Sequence, residues 1–391
     1  MCGVCVSAGP LDGIKIIELA GMGPAPFGAM MLADMGAEII RVERVSDVNG
    51  PASEYSRLAL LNRGRRSVAL DLKVPAGRNV FLRLTESADV LIEGYRPGVM
   101  ERLGLGPDVC AERNPRLVYA RITGWGQDGP LARVAGHDIN YIAVAGALRN
   151  FAREGQSPTP PLSLVGDFGG GGMLLAFGVV CGLLESSRSG RGQVIDAAMV
   201  DGVAAMMTVF YGFLAQGRWP GRPGANFCDT GAPDYEVYET ADGEYMAVGA
   251  LEPEFYSEFV AGLGLSALDL PARDPENWRG LKEQFATVFR TRTRDDWVAV
   301  FAGTDACCFP LLSMSEAPTH PHLVARRTYV TRGGQVQPAP APRFERTPGA
   351  VGLPPPRPGE HSQVVLKDWG IDADEIAELH RTGVIEWPSD C

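Results

Sequence analysis

Short runs of β-branched and aliphatic residues alternate with helix-period stretches through the first third of the chain, and this alternation restricts the fold more than any other feature. The runs fall at residues 13–19, 38–42, 67–70, 88–92 and 117–122, with helical patterns at 27–35, 78–86 and 99–103 between them. Strand–helix–strand repetition buries a sheet between two layers of helices. An α/β fold with a doubly wound parallel sheet is therefore expected.

Beyond about residue 136 the pattern changes to longer apolar helices, expected at 138–148, 172–185 and 197–214. A loop rich in Gly, Pro and Asn follows at 218–233. Strand-like runs at 235–239 and 244–250 flank Asp242-Gly243, a pair suited to a hairpin turn, and helices are expected at 253–263 and 294–302. With 391 residues the chain exceeds one ordinary domain. The expected division is a large α/β domain over 1–215 and a smaller α+β domain over 216–330. Residues 331–391 then supply a proline-rich extended linker (338–358) and a capped terminal helix (372–382) that returns to the large domain. The longest uncharged run, 168–184, has 17 residues. It falls short of the roughly 20 apolar residues of a membrane span and reads as a buried helix.

Charge bears on partners. Lys and Arg number 36 against 47 Asp and Glu, a net charge of −11, which argues against nucleic acid or an anionic membrane. An anionic ligand must then be met locally, and residues 41–102 carry eleven bases against eight acids. Arginine forks pair well with phosphate, and several of these arginines follow strands, where ligands bind in open α/β sheets; a solvated charged face is the alternative. Eight cysteines without framework spacing suit a reducing compartment, so no disulfides and a cytoplasmic location are expected. The N-terminus has no signal-peptide pattern, and Pro388-Ser389-Asp390-Cys391 matches no address signal. Cys2 and Cys5 form a single CxxC with no second pair, so no metal site is expected and a frayed N-terminus is the plainer reading.

Four local motifs carry chemistry. Gly21-Met22-Gly23-Pro24-Ala25-Pro26-Phe27-Gly28 follows the first strand, with Glu43 twenty residues past Gly23 as in dinucleotide sites. The third glycine comes two positions late, however, and two prolines remove N–H donors from any phosphate nest. Gly136-His137-Asp138 places a histidine at an expected helix start, where it serves either as an acid/base group or as a packed or capping residue. Gly166-Asp167-Phe168-Gly169 sets a lone carboxylate among glycines, either as a cap or as a base or nucleophile. Glu252 ends a strand and opens a helix. His320, His322, His361 and His380 show no ligand spacing.

Together these stretches resemble the family III CoA-transferase superfamily and, within it, the racemase branch. The resemblance covers nearly the whole chain through residues 9–13, Leu91-Ile92-Glu93-Gly94-Tyr95-Arg96-Pro97-Gly98, 123–130, 136–141, 165–171 and 247–256. It implies a Rossmann-like large domain, a small domain and an interlocked homodimer, with sites between the large domain of one subunit and the small domain of the other. By the same resemblance the first βαβ unit would hold coenzyme A. Arg41 would lie near its 3′-phosphate, Arg63, Tyr95, Arg96 and Arg102 around adenine and diphosphate, and Gly94 and Tyr141 beside them. Coenzyme A enters as part of an acyl-CoA substrate, and the chemistry needs no further cofactor.

The racemase branch further implies inversion of the α-carbon of a 2-methylacyl-CoA thioester. His137 and Asp167 would be the two acid/base groups, Glu252 the partner of His137, and the Asp138 backbone N–H the donor to the enolate oxygen. Inversion removes a proton from one face and returns one to the other, so two groups in opposite protonation states must flank the carbon. Transferases of the superfamily use the aspartate matching Asp167 as a nucleophile and lack both the histidine and the strand-end glutamate motif. The presence of both favours racemisation over CoA transfer. One loop departs from the branch. In Cys228-Asp229-Thr230-Gly231-Ala232-Pro233-Asp234-Tyr235, Thr230 replaces a glycine and Asp234 an aromatic. A charge bordering the acyl pocket would disfavour a bulky apolar acyl group unless it is paired.

Overall fold

The computed structural model describes residues 9–50, 53, 55–266 and 268–389. The Cys2/Cys5 pair, the expected frayed start and the last two residues, Asp390 and Cys391, lie outside the described residues. Each expected strand of the first third forms, as β1 (Lys15–Leu19), β2 (Glu38–Glu43), β3 (Arg65–Leu70), β4 (Val90–Glu93) and β5 (Val118–Thr123). Helices α1 (Pro24–Asp34) and α2 (Pro75–Glu86) start with proline at the first position, where its missing N–H costs nothing. Helix α3 spans Asp138–Val144, and a π-helical segment, Leu164–Met173, runs directly into α4 (Leu174–Ser189).

Residues 197–214, expected as one helix, divide. Ala197 and Ala198 end a sixth strand, β6 (Val194–Ala198), followed by α5 (Met199–Met206) and α6 (Thr208–Ala215). Neither glycine nor proline stands at the Ala198–Met199 change or at the Met206–Thr208 break, so the divisions leave no mark in the pattern.

The sheet order is terminal strand Ile385–Glu386, then β3, β2, β1, β4, β5 and β6. All pairs are parallel except the terminal strand, which is antiparallel to β3. After β3 the chain crosses to the far side of β1, so β1 and β4 flank the switch point where open α/β sheets bind ligands. Both faces are covered. Ile16 and Ile17 point to opposite sides and are both fully buried, each in its own apolar cluster.

The continuous helix Leu164–Ser189 has 26 residues and is, by length and composition, long and apolar enough to cross a membrane, where the 17-residue uncharged run alone fell short. Nor is it buried all round. Leu175 and Val179 are fully buried while Phe177 is 67% and Leu184 51% exposed.

The chain forms two compact units. The first holds the described residues up to Ala145, 162–206 and those from Arg326 on; the second holds 146–161 and 207–325. The expected boundaries differ at 146–161 and 207–215, which group with the second unit, and at 326–330, which group with the first. Residues 338–358, expected as a linker, are extended but tied to the first unit. The Gly64 N–H donates to Leu353 (2.8 Å), the Ala350 N–H to Asp34 (2.9 Å) and Arg57 to the Pro355 carbonyl (3.1 Å). The terminal helix Ala373–Arg381 is capped by Asp372, which accepts from the Asp374 N–H at 2.9 Å.

In the second unit, β7 (Tyr235–Glu239), β8 (Tyr245–Gly249) and β9 (Cys308–Pro310) form an antiparallel sheet. Helices α7 (Pro253–Gly262), α8 (Trp278–Phe289) and α9 (Arg294–Phe301) complete it. Phe259, Phe285, Phe289 and Trp297 are buried in its core. Helix α8 and strand β9 fall outside the expected elements.

Candidate active site

A cavity of about 330 Å³ opens at the carboxyl ends of the parallel strands. It is lined by the turns after β1 (Gly21, Gly23), β4 (Gly94, Tyr95, Arg96) and β5 (Gly124, Trp125), and by His137, Tyr141 and Asp167. A second cavity, of about 770 Å³, lies at the ends of β2 and β3 and is lined by Arg44 and Lys73. Tyr95 and Arg96 line both. The two cavities therefore meet at one turn, with exposed cations at one end and an imidazole and a carboxyl group at the other.

The turns are braced from below by the buried charges Glu93 and Arg41, a structural role the sequence motifs do not indicate. Glu93 accepts from the Tyr95 N–H at 2.7 Å and from Arg121 at 2.8 Å, fixing the Gly94–Arg96 turn. Arg41 donates to the Gly21 carbonyl at 3.2 Å, fixing the turn after β1. The only signal for such groups is an acid or arginine inside an otherwise apolar strand.

Two of the expected coenzyme-binding arginines are occupied elsewhere. Arg41 is buried, paired with Glu18 at 2.6 Å and Glu43 at 2.9 Å. Glu43, at the ribose-acid position of the dinucleotide reading, also accepts from the Ser67 hydroxyl at 2.9 Å. Arg63 is buried too, bidentate to Asp34 at 3.1 and 2.5 Å and bonded to Gln337 and the Pro338 carbonyl. Neither guanidinium is free for a phosphate. Arg96 and Arg102 are exposed, as are Arg44 and Lys73, which the sequence reading counted but did not assign.

His137 occupies the residue before α3 in extended backbone, and its N–H donates to the Asn140 side chain at 3.0 Å. Asp138 follows and is buried. Its Oδ2 accepts from the Asp167 N–H at 2.7 Å. One turn on, the Tyr141 hydroxyl donates to the Gly136 carbonyl, and its ring packs edge-on against Trp125. A Cβ at Gly124 would lie 2.0 Å from that ring, so only glycine fits there.

Asp167 stands on the π-helical segment, a geometry that often marks functional sites. The glycines that follow it let neighbouring helices pack closely. Gly170 lies against the α5 backbone and Gly172 against Pro24 and Gly28 of α1, with Cβ positions under 3.0 Å from backbone atoms. This close approach sets the Asp167 carboxylate against Gly23, whose φ of 68° also favours glycine. Burial raises the proton affinity of Asp167, and the neighbouring Asp138 charge raises it further, while His137 opposes both.

Glu252 belongs to the second unit, exposed at the residue before α7. In the same unit Asp234 is buried and paired with Arg273 at 2.7 Å, and it does not line the apolar cavity there. That cavity is lined by Phe151, Phe210, Trp219, Thr230 and Tyr235. No group of three or more potential metal ligands occurs among the described residues.

The switch-point crevice of the doubly wound sheet thus sets exposed cations at one end and an imidazole and a carboxyl at the other, groups suited to an enzyme site. The chain belongs to CoA-transferase family III, which it matches over residues 11–362. It is 45% identical to alpha-methylacyl-CoA racemase of Mus musculus over 379 residues, 96% of this chain and 97% of that protein. The Homo sapiens protein of the same name is 44% identical with the same coverage. A crystal structure of a CaiB/BaiF family protein from Brucella suis superposes with a TM-score of 0.79 at 25% identity, covering 93% of this chain and all of that one.

Proposed function

We propose that the protein racemises 2-methylacyl-CoA thioesters at the α-carbon by proton transfer through an enolate. The observation that carries this reading is that His137 and Asp167 line one cavity at the carboxyl ends of the parallel strands. One removes the α-proton while the other delivers a proton to the opposite face. Each positioned acid or base contributes roughly 10²–10⁴ in rate. The Asp138 N–H serves the enolate oxygen, a donor worth roughly 10²–10³. Glu252 is assigned as the partner of His137 on the family resemblance.

The coenzyme A portion enters through the larger cavity, with Arg44, Lys73, Arg96 and Arg102 as its phosphate partners, and its thioester arm passes the Tyr95–Arg96 turn. Pairing of Asp234 with Arg273 removes the objection to an apolar acyl group. The exposed apolar row on α4 supports a second copy of the chain completing the molecule as an interlocked homodimer.

The test is α-deuterium uptake from deuterated water into 2-methylacyl-CoA thioesters with no acceptor acid present. Uptake is expected, and its absence across a panel of such thioesters would refute the proposal. Half-burial of Asp167 also suits a nucleophile, and a CoA-transferase would instead exchange CoA with a free acid and form a trappable thioester at Asp167.

A further inference from the structure

We propose that the Asp138 carboxylate is a positioning group for Asp167: it holds that residue through its backbone N–H and sets a second negative charge beside it, so that the carboxyl and the His137 imidazole can exchange donor and acceptor roles. The inference rests on the reading of Asp167 as an acid/base group and adds a side chain to it.

The geometry is specific. Asp138 is 6% exposed, its Oδ2 accepts the Asp167 N–H at 2.7 Å, and its Oδ1 is buried without a hydrogen-bond partner among the described residues. A Cβ at Gly166 would lie 2.4 Å from Oδ2, so the carboxylate is wedged against backbone that only glycine leaves open. An asparagine would accept the same hydrogen bond without a half-paired buried charge. A carboxylate kept in such a place is costly to folding and calls for a functional account.

That account lies in the symmetry of racemisation. Free aspartate and histidine bind protons with pKa values near 3.9 and 6.5, so an unmodified pair would pass a proton far more readily one way than the other. Asp167 is raised by burial and then by Asp138, and His137 pulls it back. The remaining groups around it are Tyr141, one turn along α3, and Arg96 from the β4 turn, whose charge acts on Tyr141. On the α1 side its carboxylate lies against Gly23, the residue before that helix.

The test compares α-deuterium exchange against pH for each enantiomer in wild type, Asp138→Asn and Gly166→Ala. For the enantiomer whose α-hydrogen faces Asp167, the acid limb follows deprotonation of that carboxyl. Loss of the Asp138 charge should move this limb to lower pH. Gly166→Ala, by displacing the Asp138 carboxylate, should lower kcat and move the limb in the same direction with little change in KM. Superimposable limbs in wild type and both variants, with Asp167→Ala inactive toward that enantiomer, overturn the positioning role alone. An Asp167→Ala variant that still exchanges both enantiomers overturns the reading beneath it and the proposal together.

Discussion

Arg41 and Arg44 stand three residues apart at the end of β2 and belong to different parts of the molecule. Arg41 is enclosed with Glu18 and Glu43, and Glu18 in turn is shared with fully buried Arg65. Arg44 is exposed at the rim of the larger cavity, with Lys73 and Arg96. The interior set ties strands β1, β2 and β3 together and braces the first turn of the site. The rim set is available to a phosphate. Positive charge in a stretch of sequence is therefore no measure of anion binding; what decides is whether an acid from a neighbouring strand has already claimed the guanidinium.

The comparison can be broken most readily from inside. Arg65→Ala leaves Glu18 buried without its more deeply buried partner and should cost about 3–5 kcal/mol of stability, read by denaturant unfolding. A loss near zero would mean that the interior network is dispensable. At the rim, Arg96→Ala should raise KM for a CoA thioester about tenfold, with a smaller effect at high salt, and leave stability within about 0.5 kcal/mol. A stability loss there without a change in KM would erase the distinction between the two sets.

A smaller effect comes from pH. Burial raises the proton affinity of Glu18, but the guanidiniums of Arg65 and Arg41 outweigh it and hold the carboxyl below its ordinary value of 4.5. The unfolded chain then takes up this proton more readily than the folded one. The stabilisation is complete above pH 4.5 and is lost as pH falls below it toward the folded value. Glu18→Gln, less stable at neutral pH, should lose less on acidification below 4.5, as followed by circular dichroism.

The strands of the first third were legible because β-branched runs with glycine turns have few other uses, and their order placed residues 21–23 and 94–96 at the switch point. Pairing was not legible. The partners of Arg63 are Asp34 and Gln337, and the partner of Asp234 is Arg273, each far away in sequence. The π-helical segment was hidden because four successive glycines argue for a loop until two neighbouring helices press against them. His137 and Asp167 could be named from their motifs, but that they line one cavity emerges only from the fold.

The central claim is that these two groups serve opposite faces of one carbon. The direct measurement is α-deuterium exchange by His137→Ala and Asp167→Ala, assayed separately with the two enantiomers of a 2-methylacyl-CoA thioester. Each variant is predicted to lose exchange with a different enantiomer by roughly 10²-fold or more while both lose racemisation. Loss of exchange with the same enantiomer in both variants, or undiminished racemisation in either, would contradict it.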